Sequence, residues 1–358
     1  MSSQQHDRYT CGPLEILVAA ETNTLRRKIA DTLDLYNVEW DEPLTQWQIE
    51  ICESDIAAPL GAGDYLLCAR MNVDLVGNQL FATCPSGAQA LCDRDTRRWT
   101  MLVPRASTDP WVLTDIESLL SLVLTEGWRE LGWVPLHSGA VVLNDVCALI
   151  CAESGGGKTS LTAALVRRGW QTLGDDKLLL RIGADGMPEL RGLVHTFNLH
   201  PRTRTWFPEV GDLEQLPTYS DWTEKRKVSP ELIWPGSTRT EATPSVLFHL
   251  ADKGMNAETG QRNRFSVSDP LDPPNRFSPD RFIRMEALSA ASILSILLHQ
   301  TVVPSHAPAA RQILATIAKA APYLAGFRVE IAEDAYMNAE CLSPLESALA
   351  STLSTAGA

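Results

Sequence analysis

The sequence predicts an α/β fold in two domains, and three observations support this prediction. The chain has 358 residues, which is enough for about two domains of ~150 residues each. Short apolar runs alternate with segments in which apolar residues recur every three or four positions, as expected for strands alternating with helices. The turn-forming residues Gly132 and Pro135 separate the two halves. We therefore expect a small N-terminal α/β domain over residues 1–133 and a second α/β domain over residues 134–358.

The first domain opens with a predicted strand and a predicted helix. Residues 14–19 form a short apolar run typical of a strand. Between Leu25 and Leu33 an apolar residue recurs at every fourth position, which favours a helix. A second helix is predicted to open at Thr114, because Glu117 stands three residues later in a capping-box pattern, and to run toward Gly132.

The second domain is predicted to begin with two strands, a glycine-rich segment and a helix. Residues 140–152 predict two apolar strands joined by a turn at Asn144-Asp145. The second of these strands leads directly into glycines. Residues 158–168 predict a helix, and Gly169 follows at the position where a capping glycine is expected.

A hairpin is predicted to follow that helix. Leu173 and residues 178–182 indicate further strand, and Asp185-Gly186 indicates a tight turn into a strand at residues 190–194. An Asp-Gly pair suits such a turn because both central residues of a type I′ turn need positive φ angles.

The last third of the chain is predicted to contain a long loop and then helices. Residues 251–283 are rich in Asp, Asn and Pro with little periodicity, which indicates a long loop or lid. The chain from Arg284 onward is predicted to be helical, first around residues 294–297 and then over residues 309–320.

Composition and charge exclude several classes of protein. The formal net charge is −13 and the pI is near 5.0, which argues against nucleic-acid or membrane partners because the long-range field repels phosphate. The first residues lack a basic segment followed by an apolar one, so no signal peptide is expected. The eight cysteines form no C-x-x-C pair and no four-ligand zinc set. We therefore expect a cytoplasmic protein with reduced thiols.

The most specific local signal is the glycine loop, residues 152–159, which lies between a predicted strand and a predicted helix. Its sequence A-E-S-G-G-G-K-T matches the Walker A P-loop pattern G-x-x-x-x-G-K-[ST], except that Ala152 replaces the first glycine. Such a loop wraps backbone N–H groups around a polyphosphate, its lysine reaches the β- and γ-phosphates, and its hydroxyl can bind Mg²⁺. The alternative is a glycine-rich structural turn. The predicted nucleotide contacts are Glu153, Ser154, Gly155, Gly156, Gly157, Lys158, Thr159 and Ser160.

A second signal is Gly174-Asp175-Asp176, on the strand predicted after the helix that Lys158 opens. Two adjacent carboxylates at the end of a strand beside a P-loop are placed for metal and proton chemistry. Because successive strand side chains point to opposite faces, one Asp can face Mg²⁺ while the other does different work. The alternative is an exposed turn or a helix cap.

Taken together, these segments resemble the catalytic core of the bacterial HPr kinase/phosphorylase family. That family is a group of P-loop kinases akin in fold to ATP-dependent phosphoenolpyruvate carboxykinase. The resemblance is carried by the chain between His137 and Leu193, and the N-terminal domain lies outside it. The matching segments are His137 before the first core strand, the glycine loop, Arg168-Gly169, Gly174-Asp175-Asp176, and residues 189–193 with the sequence E-L-R-G-L.

The resemblance implies a role for each matching residue. Lys158 and the loop amides would bind the triphosphate of ATP, with GTP as the alternative nucleotide. Thr159, Glu189 and Asp175 would hold or lie near Mg²⁺. Asp176 would be the base that takes the proton from an attacking hydroxyl, and His137 would lie close to Asp176 and tune it.

Two arginines are predicted substrate contacts. Arg191 lies within the E-L-R-G-L match, and Arg226 is flanked by lysines; Arg202 and Arg204 are further candidates. The alternative for each is a solvated surface charge. The V-R-P-G-R-N loop that accompanies the family's phosphorylase activity is absent from residues 228–283, so the reverse reaction is not expected.

The sequence thus predicts a Mg²⁺- and ATP-dependent kinase that phosphorylates a hydroxyl group. The acceptor would be a Ser or Thr of a small protein or peptide, or a serine-like small molecule, and the N-terminal domain would bind substrate or a partner. The resemblance also implies a homo-oligomer. A nucleotide-gated binding module with little phosphotransfer is the alternative from another class, and a carboxykinase is a weaker third.

Overall fold

The computed structural model describes residues 6–55, 71–105, 110–219, 223–251, 283–301 and 307–356. The chain divides into two compact units: Met1–Val134 with Val303–Ile313, and Pro135–Val302 with Leu314–Ala358. Residues 307–313 thus group with the first unit, whereas the predicted boundary assigns them to the second domain. All but the two ends of the predicted loop at 251–283 lies outside the described residues.

The first unit is built on one mixed sheet with the strand order β1-β2-β3-β7-β6-β5-β4. Neighbouring strands are parallel from β2 through β3 to β7 and antiparallel elsewhere. The strands are β1 (Asp7–Cys11), β2 (Leu14–Ala20), β3 (Thr45–Ser54), β4 (Asn72–Val76), β5 (Gln79–Thr83), β6 (Gln89–Asp93) and β7 (Arg98–Pro104), and the helices are α1 (Asn23–Leu33) and α2 (Pro110–Glu130).

The two helices of the first unit test two of the sequence predictions. The predicted helix at residues 25–33 is confirmed as α1, which Thr22 caps with its side chain. The predicted start of the next helix at Thr114 is wrong, because α2 begins four residues earlier at Pro110. Proline suits the first turn of a helix, where its missing N–H is not needed.

The second unit is built on a central sheet with the strand order β11-β9-β10-β17-β19-β18, in which β10, β17 and β19 run parallel. A smaller sheet has the order β16-β13-β12-β8, and β14 pairs with β15. The strands are β8 (Val134–Leu136), β9 (Gly139–Leu143), β10 (Val146–Cys151), β11 (Gln171–Gly174), β12 (Leu178–Ile182), β13 (Pro188–Gly192), β14 (Phe197–Leu199), β15 (Arg226–Val228), β16 (Glu241–Ala242), β17 (Pro244–Leu250), β18 (Ile283–Ala287) and β19 (Ala325–Ile331).

The remaining described α-helices are α3 (Lys158–Arg167), α4 (Pro230–Ile233), α5 (Ala290–His299), α6 (Ala307–Ala320) and α7 (Ser343–Ala356). Short 3-10 helices lie at Asp34–Tyr36, Pro201–Thr203, Pro208–Val210, Leu213–Gln215, Ala321–Tyr323, Glu333–Tyr336 and Ala339–Leu342. None of the described helices is long and apolar enough to cross a membrane.

Local sequence patterns predicted the secondary structure correctly around the glycine loop but not around Arg284. The predicted turn at Asn144-Asp145 is confirmed, with φ angles of 49° and 64° at these residues, and the helix at 158–168 is confirmed as α3. The prediction of helix from Arg284 is wrong for the first residues, which form β18. This strand pairs with β19, which follows it only after two intervening helices, and a partner so distant leaves no local signal.

The central sheet has two different faces that position the site. On one face Phe248, Leu250 and neighbouring strand residues pack with α3 residues into the main core of the unit. Since strand side chains alternate, His249 points to the opposite face. Helix α5 packs on that opposite face, where a Cβ added at Gly326 of β19 would lie 2.6 Å from Ile293.

Candidate functional site

The glycine loop leaves the end of β10 and turns directly into α3. Gly155 and Gly157 have φ angles of 73° and 97°, which residues with a side chain rarely adopt. Within the loop, the Gly156 N–H donates to the Glu153 carbonyl at 2.8 Å. The helix then begins as the Leu161 N–H donates to the Gly157 carbonyl at 2.9 Å. Its N-terminus therefore carries the positive partial charge that favours an anion.

Lys158, Asp176 and His137 form a contiguous polar group beside this loop. The Lys158 Nζ donates to Asp176 Oδ1 at 2.7 Å, although Lys158 is only 7% exposed. His137 Nδ1 lies 3.2 Å from the same carboxylate oxygen. The backbone N–H of His137 donates to the Gln300 carbonyl at 2.8 Å, which anchors the segment before β9 to the end of α5.

Electrostatics assign different protonation states to these groups. Burial would raise the pKa of Asp176, but the charge of Lys158, joined by that of His137 when the imidazole is protonated, outweighs burial and holds the pKa well below its usual range. The His137 side chain is 49% exposed; its partial burial is still the largest influence on its pKa and lowers it, against the nearby Asp176 charge that raises it. At neutral pH the group is therefore an ionised carboxylate between an ammonium and a neutral imidazole.

Asp175 has the opposite environment from its neighbour. Its side chain is 1% exposed, and neither carboxylate oxygen accepts a hydrogen bond from the described residues. Burial and then the charge of Asp176 raise the pKa of Asp175 to about 6, while Lys158, the Thr159 hydroxyl and the Asn198 backbone N–H act to lower it. The last two donors lie near the carboxylate without completing a hydrogen bond. The Thr159 hydroxyl therefore lies in the immediate surroundings of the Asp175 carboxylate.

The local fold fixes where β11 ends and therefore where the two carboxylates begin. A Cβ added at Gly192 of β13 would lie 1.9 Å from the Leu173 carbonyl, so the backbones of β11 and β13 approach more closely than a side chain allows. The Thr172 hydroxyl donates to the Ala140 carbonyl at 3.0 Å and ties β11 to β9. These contacts place Asp175 and Asp176 against the start of α3.

Glu189, a predicted metal ligand, is paired within the hairpin and not with this group. It pairs with Arg181 at 2.5 Å, in register across the hairpin of β12 and β13. Gly192, three residues further along β13, pairs with Leu178 at the end nearer Asp176, and three strand residues span about 10 Å. Across the described ranges, no group of three His, Cys, Asp or Glu side chains is arranged to hold a metal ion.

The two predicted substrate arginines are directed elsewhere. Arg191 forms an ion pair with Glu241 of the neighbouring strand at 2.7 Å. Arg226 donates from Nη1 to the Leu216 carbonyl at 3.3 Å, within its own loop. The adjacent Lys225 is the nearer cation, because its charge acts on His137.

Three residues near the glycine loop escaped the sequence prediction. His299 Nε2 lies 2.9 Å from Glu153 Oε1, and Gln300 follows it at the end of α5. The Tyr336 hydroxyl lies 3.2 Å from where a Cβ on Gly157 would stand. A lone His, Gln or Tyr so far from the loop in the sequence has no spacing that would reveal it.

Comparison with known proteins does not assign the chain to a family. No family model matches the sequence, and no curated protein matches it. Among solved structures, the chain is similar to the HPr(Ser) kinase/phosphatase from Coxiella burnetii. The similarity covers 60% of this chain and 96% of that one, with 13% identity and a TM-score of 0.29. A TM-score this low carries no functional argument, so the family resemblance of the motifs stays a prediction.

Proposed function

We propose that this protein is a kinase that transfers the γ-phosphate of ATP to a hydroxyl group. The observation that carries the proposal is the juxtaposition of a glycine loop, a buried lysine and two carboxylates of opposite character. Lys158 is held at the loop by Asp176, and Asp175 lies beside Thr159 with both oxygens unpartnered by the described residues. Phosphoryl transfer needs a phosphate cradle, charge neutralisation and one proton acceptor, and each has a candidate here.

The nucleotide would bind along residues 153–160. The left-handed glycines orient backbone N–H groups toward one side of the loop, and the N-terminus of α3 adds positive partial charge. Lys158 is the cation that would pair with the β- and γ-phosphates. This cradle recognises phosphate, so it supports GTP as well as ATP.

Mg²⁺ would be held by Asp175 and the Thr159 hydroxyl, together with the nucleotide phosphates. A carboxylate that is 1% exposed and lacks a donor among the described residues is the kind of group that a bound cation would satisfy. Mg²⁺ is usually bound by one or two protein oxygens plus substrate phosphates, so this sparse set is sufficient. When bound, the ion would neutralise charge on the phosphate oxygens. The position of Glu189 leaves it out of the proposed ligand set.

Asp176 would accept the proton of the attacking hydroxyl. In the structure its carboxylate is occupied by Lys158. A phosphate that draws Lys158 away would remove the largest influence lowering the pKa of Asp176, so the carboxylate would become a better base as the nucleotide binds. The acceptor oxygen then bonds to the γ-phosphorus, the bond to the β–γ bridging oxygen breaks, ADP leaves, and the proton moves to Asp176. His137 would keep Asp176 oriented during this exchange.

The test is transfer of label from γ-labelled ATP with Mg²⁺ to candidate hydroxyl acceptors. Asp176→Asn should retain nucleotide binding and lose transfer by a factor of at least ~10², whereas Lys158→Ala should lose both. Asp185→Asn is the matched control, since Asp185 is an exposed turn residue whose side chain bonds within its own loop. Near-normal transfer by Asp176→Asn would overturn the assignment of the base. Tight ATP binding with no label on any acceptor would overturn the kinase proposal.

A further inference from the structure

A cavity of about 600 Å³ lies on the α5 face of the central sheet in the second unit. Its lining includes Glu153 from the glycine loop, His249 from β17, Arg328 from β19, and Ser292 and Ser295 from α5. This volume lies within the range of small-molecule sites. The lining combines polar groups with the apolar wall of α5, which is typical of a site that orients a small ligand.

The charges of this cavity suit one negative group. Arg328 is exposed, and no carboxylate of the described residues lies within ion-pair distance of it, although Glu286 is its cross-strand neighbour. Glu153 is occupied by His299 at 2.9 Å. Burial is the largest influence on the pKa of His249 and lowers it. The charge of Glu153 raises this pKa, whereas Arg328 and His299 lower it further, so the His249 imidazole is neutral at pH 7. One cation and a neutral N–H donor match a monoanion, whereas Glu153 would repel a second negative charge.

The cavity is linked by direct contacts to the proposed catalytic group. Glu153, which lines the cavity, lies near the start of the glycine loop, and its carboxylate contacts His299 of α5. The next residue, Gln300, accepts the backbone N–H of His137, and His137 contacts Asp176. Two consecutive residues at the end of α5 therefore connect the cavity with the proposed base.

From this placement we infer that the cavity binds the phosphate acceptor, a hydroxyl compound that carries a carboxylate held by Arg328. That the ligand is the phosphate acceptor rests on the proposed kinase function. That the ligand carries a carboxylate rests on the cavity alone. The carboxylate belongs to a free hydroxy acid or to the C-terminus of a peptide, because both present the same monoanion. A phosphate dianion is disfavoured because Arg328 is the one Arg or Lys among the lining residues that the structure describes.

The first experiment measures ligand binding without requiring kinase activity. Phenylglyoxal modifies exposed arginines, and mass spectrometry of the peptides gives the rate at Arg328. L-Serine or the tripeptide Gly-Gly-Ser should slow this rate at least fivefold, and the carboxamide of each should not. Arg284, whose side chain is 64% exposed, serves as the internal control and should be unaffected by any of these probes.

The outcomes separate the two sources and the alternatives. Protection by L-serine only indicates a free hydroxy acid, and protection by the tripeptide only indicates a peptide C-terminus. Equal protection of Arg284, no protection by either carboxylate, or stronger protection by inorganic phosphate would each overturn the inference.

The second experiment uses transfer itself. With the acceptor that protects Arg328, Arg328→Gln should raise the acceptor KM at least tenfold and leave the KM for ATP unchanged, and Arg328→Lys should restore part of the loss. An unchanged ratio of carboxylate to carboxamide turnover in Arg328→Gln would refute the role of Arg328. Absence of transfer with every acceptor, despite protection in the first experiment, would refute the kinase proposal and leave the carboxylate site standing.

Discussion

Replacing Asp175 by Asn should make this protein more stable at neutral pH, which is unusual for a substitution at a proposed active site. The carboxylate is 1% exposed and accepts no hydrogen bond from the described residues, and its pKa is raised from 3.8 to about 6, first by burial and then by Asp176. Ionising this group in the folded protein therefore costs free energy. Asn has nearly the same shape but cannot ionise, so the substitution removes that cost.

The magnitude follows from the difference in proton affinity between the two states. A shift of about two pKa units is worth roughly 3 kcal/mol at 1.36 kcal/mol per unit. The folded state binds the proton of Asp175 more tightly than the unfolded state, so stability falls as the pH rises from about 4 to about 6 and is lowest above that. Asp175→Asn should thus raise the free energy of unfolding by about 3 kcal/mol at pH 7 and by almost nothing at pH 4.

Asp176→Asn is the matched comparison and should act in the opposite direction. This carboxylate pairs with Lys158, whose side chain is 8% exposed, and its removal leaves a buried ammonium without its partner. The loss is on the order of 3 kcal/mol at pH 7. Because the folded-state pKa of Asp176 is depressed, its contribution is present above the unfolded pKa and disappears as the pH falls through the folded value.

Urea unfolding at pH 7 and pH 4, followed by tryptophan fluorescence, measures both effects. Trp170 is 1% exposed in the core of the second unit, and it is one of ten tryptophans whose fluorescence together follows unfolding. Stabilisation by Asp175→Asn at pH 7 that disappears at pH 4 is the expected result. A loss of stability in Asp175→Asn at pH 7 would refute the reasoning, since it would mean that the carboxylate is satisfied when charged.

Three further predictions concern the frame of the site. Gly192→Ala should lower the free energy of unfolding by about 3 kcal/mol or more, because the new Cβ would overlap the backbone of β11. Its control Gly186→Ala, which lies in open space at φ 84°, should lower it by only about 1–2 kcal/mol. Equal losses for the two variants in urea unfolding would contradict this prediction. A double-mutant cycle on Arg168 and Glu346, which bond at 2.7 and 2.8 Å, should give a coupling of about 1 kcal/mol, and zero coupling would show that solvent screens the pair. The NMR titration of His137 should have its midpoint below the ordinary 6.5, because partial burial of its half-exposed ring is the largest influence on its pKa and lowers it. A midpoint above 6.5 would show that the charge of Asp176 outweighs burial.

The local segments of the site were predictable because their chemistry depends on near neighbours. The Asn144-Asp145 turn, α3 and its closing Gly169 are specified by neighbours within a few residues, through turn geometry and capping. The same holds for the glycine loop, whose residue order is itself the signal. The two carboxylates could be placed beside the loop for the same reason, as both follow the next strand.

The different surroundings of Asp175 and Asp176 could not be predicted from neighbouring residues. Adjacent Asp residues in a sequence are equivalent until the fold buries one and pairs the other with Lys158. The partners of Glu189 and Arg226 could not be predicted for a related reason. Strand register carries Glu189 about 10 Å along the hairpin. Arg226 donates to the Leu216 carbonyl of its own loop, whereas the charge of Lys225 acts on His137.

The sequence by itself determined the α/β class, the strand–loop–helix unit that carries Lys158, and the pair Asp175-Asp176, since each depends on residues close together in the chain. Only the tertiary structure decided which strands pair with β19, that α5 brings His299 and Gln300 to the loop, and that His249 and Arg328 share one cavity. These arrangements depend on pairings between residues that are far apart in the chain. Long-range pairing is selected by the burial of whole faces, to which no short window of sequence is sensitive.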